Sequence, residues 1–166
     1  MYAPINEMPD SSRVWIYQSG KNLTPDEVQL LSKELERFCS QWQVHGAPMR
    51  TSFSVDDNRF IVLAVDEQEG SPSGCSIDSS VHILKSLEQQ FQTDFFSRQE
   101  VAFYEHGTIT TFPLTSLKKQ FNDGILKENS VTLNTLVQTL GDWRHNRMVP
   151  VKDSWLRRYI PKVPVS

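Results

Sequence analysis

TSFSVDDNRFIVLAVDE, residues 51–67, decides how this chain is read. Its second half, Arg59–Val65, is nearly all apolar, with Phe60–Val65 the longest clean apolar run. A membrane span needs about 20 such residues, so the run is far too short to cross a bilayer. Its β-branched and aromatic content predicts a strand, and continuous apolarity predicts one covered on both faces. The first half, Arg50–Val55, alternates roughly between apolar and polar. Asp56-Asp57-Asn58 supplies turn chemistry between them, which predicts a hairpin with the apolar strand at the centre of a sheet.

Upstream, VWIYQ (14–18) reads as another strand. Thr24-Pro25-Asp26-Glu27 then carries a helix start. Thr24 can accept from the first free amides, Pro25 stands where its missing N–H costs nothing, and Glu27 can reach back to the cap. Val28, Leu31, Leu35, Phe38 and Trp42 follow at helical steps, and Gly46 and Pro48 lie past the end. Downstream, EGSPSGCSIDSSVHILKSLEQQF (69–91) leads into a second helix with Ile77, Val81, Leu84, Leu87 and Phe91 on its stripe. Val101–Tyr104 and Thr108–Phe112 read as strands joined by the Glu105-His106-Gly107 turn.

The resulting order, β-α-β-β-α-β, predicts an α+β fold with a ferredoxin-like core: an antiparallel sheet carrying two helices on one face. The expected core runs from about residue 13 to 112 of a single 1–166 domain, and residues 113–166 form a carboxy-terminal extension. In that extension Leu114–Phe121 reads as a helix ended by Gly124, and Val131–Val137 as a strand. Trp143–Ser166 reads as ordered coil with a short helix around Trp155–Tyr159.

Charge is unevenly spread. Residues 1–105 hold 8 Lys and Arg against 16 Asp and Glu, whereas residues 106–166 hold 9 against 4. A basic end on an acidic protein either attracts its own first half or docks an acidic protein partner. That end carries Trp143, Arg144, Arg147, Lys152, Trp155, Arg157, Arg158, Tyr159 and Lys162. Trp143, Arg147, Trp155, Arg157 and Arg158 are the interaction candidates; the alternative is a terminal segment pinned by its tryptophans. Interleaved aromatics and cations can also stack on single-stranded nucleic acid, but an overall pI near 5.8 argues against it.

The loop ahead of the second helix is the other candidate. Free N–H groups and a positive macrodipole end make a helix start an anion site, for which Gly74, Cys75, Ser76, Asp78 and Ser79 are the binding candidates. Cys75 at that position would have a lowered pKa, which makes it the one candidate nucleophile. Against this, Ser76 and Asp78 are good caps that need no ligand, and Asp66, Glu67 and Glu69 repel phosphate. His82 stands about two helical turns from Cys75, roughly 10 Å along the axis, too far to act as its base.

Several chemistries are excluded by spacing. Cys-x5-Arg fails because position 81 is Val81. The ATP phosphate loop, GxxxxGK[ST], fails because Gly20-Lys21 is followed by Asn22 and preceded at the required position by Trp15. Rossmann and zinc spacings are absent, and Asp66-Glu67 with Asp78 is a carboxylate cluster better suited to solvation than to a metal. Cys39 falls on an apolar stripe, where a thiol serves as a small hydrophobe. No disulfide framework and no signal-peptide pattern are present in MYAPINEMPD, so the expectation is a cytoplasmic protein with no cofactor, no metal, no membrane association and no ATP binding.

Taken together, VWIYQ (14–18), WQVHG (42–46), RFIVLAVDE (59–67), SGCSIDSSV (73–81) and DSW (153–155) resemble a small family of uncharacterised bacterial proteins whose members often carry the label "ABC transporter ATPase". The resemblance spans nearly the whole chain, and GCSIDSS is its most specific piece. It implies a soluble, single-domain bacterial protein and brings no active residues with it. The label does not fit these residues, because both the phosphate loop and the LSGGQ-type signature are missing. The expected function is therefore a non-catalytic binding or interaction module; the alternative is a small-ligand site or enzyme built on loop 70–79.

Overall fold

The computed structural model describes residues 1–44, 47–48, 50–67 and 74–162; at 43–44, 47–48 and 74–76 it describes the backbone alone. In chain order the elements are β1 (Arg13–Gln18), α1 (Pro25–Gln41), β2 (Gln43–Val44), β3 (Ala47–Pro48), β4 (Thr51–Asp56), β5 (Phe60–Val65) and α2 (Gly74–Phe91), followed by β6 (Glu100–Glu105), β7 (Thr108–Pro113), α3 (Leu117–Asn122), β8 (Val131–Leu133), α4 (Leu140–Asn146) and β9 (Met148–Pro150). The fold is mixed α and β with antiparallel sheets. The chain forms two compact units: Met1–Ser97 with Leu136–Arg144, and Arg98–Thr135 with the residues from His145 onward.

The first unit is built around the quoted stretch. β4 and β5 pair antiparallel from Thr51↔Val65 to Asp56↔Phe60, and Asp57 and Asn58 close the turn at φ 54° and 55°. Asx side chains tolerate that left-handed backbone better than other non-glycine residues, which is why the turn falls there. β5 is central, in the order β1-β5-β4, and every one of its residues is buried. α1 starts as its sequence dictates: Thr24 accepts from Glu27 N at 3.1 Å, and Glu27 Oε1 accepts from Thr24 N at 3.1 Å. Leu31, Leu35 and Cys39 of α1 and Leu84, Leu87 and Phe91 of α2 share one core cluster with Ile61, Leu63 and Val65 of β5. Both helices thus cover the face of β5 that carries its odd-numbered residues.

The expected ferredoxin-like sheet needs correction. In a ferredoxin-like order the strand after α2 would lie beside β1. Here the outer edge of β1 is taken by later chain: Val14 N donates to Gln138 O at 3.0 Å, and Arg13 bridges Thr139. β6 pairs instead with β7 and β8, giving a second sheet in the order β7-β6-β8-β9. Antiparallel hairpin pairing of β6 with β7 across a short turn closes less chain than a return to β1 would, so the local partner is favoured. The turn has His106 at φ 51° and Gly107 at φ 81°.

The second unit differs in detail from expectation. The helix read over Leu114–Phe121 is a 3-10 turn at Leu114–Ser116 running into α3, and Gly124 ends it at φ 75°. The strand read over Val131–Val137 stops at Leu133. Its core holds Val101, Phe103, Leu117, Phe121, Leu126, Val151 and Leu156.

Candidate functional site

The surface that combines exposed aromatic and cationic groups lies in the second unit, on the 3-10 helix Trp155–Tyr159. Ser154 sets its start: its Oγ accepts from Leu156 N at 3.1 Å and donates to Val151 O at 2.9 Å. A 3-10 helix repeats every three residues, so side chains at i and i+3 lie above one another. Leu156 therefore anchors the turn in the core, fully buried, and Tyr159 packs against the same cluster. The opposite face presents Trp155 and Arg158. Trp155 is 53 % exposed, unusual for so large a ring.

These side chains contact one another. The Arg158 guanidinium stands 6.0 Å from the Trp155 ring centre and 5.1 Å from that of Tyr159. Arg158 Nη2 donates to Tyr159 Oη at 3.2 Å, and the two rings meet edge to face at 6.2 Å. Beside them runs an open groove of about 940 Å³, whose lining includes Lys152, Arg157, Lys162, Glu128 and Asp153, with Ile160 and Pro161 as apolar floor. Cations thus outnumber carboxylates around an exposed indole. A smaller cleft of about 300 Å³ in the same unit has Phe103, Phe112 and Leu126 in its lining and His106 on it.

The interaction candidates do not all belong to this surface. Trp155, Arg157 and Arg158 do. Trp143 does not: it is 1 % exposed, packs edge to face on Phe60 at 5.5 Å and donates to Asp56. Its position in a basic segment is a poor guide, because an indole on a short helix is drawn to the nearest apolar core. Arg147 is half-buried and does not line the groove. Arg144 is held in the first unit, donating to Ile5 O at 2.6 Å, Met8 O at 3.0 Å and Asp10 at 2.7 Å. The lining residues that sequence reading missed are Glu128, Ile160 and Pro161, while Trp155, Arg157 and Arg158 were among its candidates.

The loop candidates fare differently. Residues 70–73, and the side chains of Gly74, Cys75 and Ser76, lie outside the described residues. α2 begins at Gly74, so Ser76 and Asp78 fall inside the helix rather than at its cap, which corrects the capping role expected of them. Asp78 and Ser79 are exposed. Among the described residues no cluster of His, Cys, Asp or Glu could hold a metal. Asp66 and Glu67 instead face Arg50 and Arg13, at 3.9 Å and 3.7 Å. Cys39 is free and fully buried, and burial pushes its thiol up to about 12, which removes it as a nucleophile.

Among the described residues no helix is long and apolar enough to cross a membrane. No protein-family model, no curated protein and no solved structure matches this chain. The resemblance drawn from its motifs therefore rests on those motifs alone, and the functional reading rests on the site.

Proposed function

We propose that this chain is a non-catalytic interaction module that binds an acidic protein partner through the groove beside Trp155–Tyr159. The observation that carries this reading is the exposed indole of Trp155 set among Lys152, Arg157, Arg158 and Lys162. Exposed tryptophan with arginine is the composition of binding hot spots, and the cationic rim supplies attraction for a partner of opposite sign. In this reading the chain acts as one folded protein in the bacterial cytoplasm. It hydrolyses no ATP, in keeping with the missing phosphate loop.

The test is binding of fluorescently labelled poly-glutamate to the intact protein, followed by anisotropy. Saturable binding that weakens as salt rises is the expected result. The double change Arg157→Glu with Lys162→Glu should abolish it. Wild-type protein that binds no acidic polymer at low salt would end the proposal.

A further inference from the structure

The arginines of this chain are mostly committed. Arg144 serves two carbonyls and Asp10, Arg59 serves Ser19 and Asn22, and Arg50, Arg13 and Arg37 face Asp66, Glu67 and Glu34. Arg158 is different. Among the described residues it faces no carboxylate, yet it has neighbours: two aromatic rings lie within 6.0 Å of its guanidinium carbon, and Tyr159 Oη accepts a hydrogen bond from it. A guanidinium has five N–H donors, so the bond to Tyr159 orients the group without exhausting it.

An arginine ordered in this way has already lost much of the rotamer freedom that binding would otherwise remove. Its planar fork matches a carboxylate through two parallel N–H···O bonds, which lysine cannot imitate. Next to it, Trp155 offers an exposed apolar face, and Ile160 and Pro161 extend that face along the groove. We infer that Arg158, clamped by Trp155 and Tyr159, is the specificity-determining residue of this groove, and that its ligand is an extended acidic peptide segment whose carboxylate meets the guanidinium while a neighbouring apolar side chain covers Trp155. The inference rests on the binding reading above and narrows it to one residue and one ligand class.

Charge selects among polyanions. Glu128 and Asp153 lie in the groove beside the cations. They repel a continuous phosphate backbone, which has an anion at every nucleotide, more than a peptide whose carboxylates are spaced by neutral residues. The formal charge of the whole chain, -3, acts in the same direction.

The experiment uses the intact protein and three labelled probes: a short peptide alternating Glu and Leu, its Gln-for-Glu counterpart, and a thymidine oligonucleotide. Wild type should prefer the Glu peptide to both others. Arg158→Lys, which keeps the charge but not the fork, should weaken Glu-peptide binding by about tenfold and reduce the Glu-over-Gln preference. Arg37→Lys, which is exposed and outside the groove lining, should stay within about twofold, and Trp155→Ala should lose about tenfold on both peptides. Circular dichroism should show all three variants folded, since the altered side chains are exposed. If Arg158→Lys binds as wild type does, the assignment of Arg158 fails while the binding module stands. If no acidic probe binds wild type, both readings fail. Tighter binding of the oligonucleotide, or self-association of the protein that blocks the peptide, overturns the acidic-peptide ligand.

Discussion

The indole nitrogen of Trp143 donates to the carboxylate of Asp56 at 2.7 Å, joining residues 87 positions apart. Asp56 closes β4 at the hairpin turn, and the Trp143 ring lies edge to face on Phe60, the first residue of β5. A late segment of the chain thus caps the hairpin that organises the first unit. Trp143→Phe keeps most of the ring but removes the donor, leaving the carboxylate without that bond. The expected loss is about 1–3 kcal/mol in urea unfolding. Trp143→Ala removes the packing too and should cost about 3–5 kcal/mol. A Trp143→Phe protein as stable as wild type would show the bond to be incidental.

Cys39 should resist thiol reagents for as long as the protein stays folded. The Cys39 thiol, raised from its ordinary 9.0 to about 12 by burial, stays protonated in the native state at neutral pH. A thiol reagent applied to native protein at pH 7–8 should therefore leave Cys39 unmodified, and Cys39 should react only at the rate of unfolding. Cys75→Ala isolates this slow phase. The same shift makes stability pH-dependent: the unfolded chain releases the Cys39 proton first, so stability is intact below pH 9 and falls as pH climbs toward 12.

The start of α1 offers a test at the other end of the pH scale. Hydrogen bonding from Lys21, then from the Thr24 backbone, holds the Glu27 carboxyl below its ordinary 4.5. A depressed carboxylate contributes stability that is present above 4.5 and is lost as pH falls through its folded-state value. Thr24→Ala removes one half of the capping box and should cost about 1 kcal/mol at neutral pH. Acid titration of folded protein by NMR should show Glu27 protonating later than an exposed glutamate, and closer to 4.5 once Lys21 is changed to Met.

Gly141 should resist a change that favours most helices. Gly→Ala in a helix interior gains about 1 kcal/mol in propensity. Gly141 lies in the first turn of α4, where its N–H donates to Asp10 O at 2.9 Å. A Cβ there would meet Asp10 Cβ at 3.0 Å and Asp10 O at 3.3 Å. Crowding against backbone cannot be relieved by a rotamer change, so Gly141→Ala should lower stability by about 1 kcal/mol net. A rise in midpoint would mean that the contact yields.

Local signals were legible where a residue's partner is close in sequence. The capping box of Thr24 and Glu27, the hairpin turn at Asp57 and Asn58, and the stop at Gly124 each depend on neighbours within a few positions. β5 was legible for another reason: a strand buried on both faces is apolar throughout. What stayed hidden was choice of neighbour. Nothing in VWIYQ says whether β6 or the backbone near Gln138 will pair with its outer edge, because main-chain hydrogen bonding is indifferent to side chains. α4 and β9 are too short for a period to show, and Trp143 looks basic-surface by its sequence neighbours while its energetic partners are Phe60 and Asp56. The groove was legible in part: Trp155, Arg157 and Arg158 stood out, but Glu128 reaches it only through the fold.

The return of Leu136–Arg144 to the first unit has a consequence during synthesis. When residue 97 leaves the ribosome, β5 already exists as sequence, but the indole that covers Phe60 and the backbone that closes the edge of β1 are still untranslated. Nascent chains stalled near position 100 should consequently recruit holdase chaperones, and those stalled well beyond position 144 should release them. Order of manufacture, as much as final geometry, governs when this half of the molecule becomes safe from aggregation.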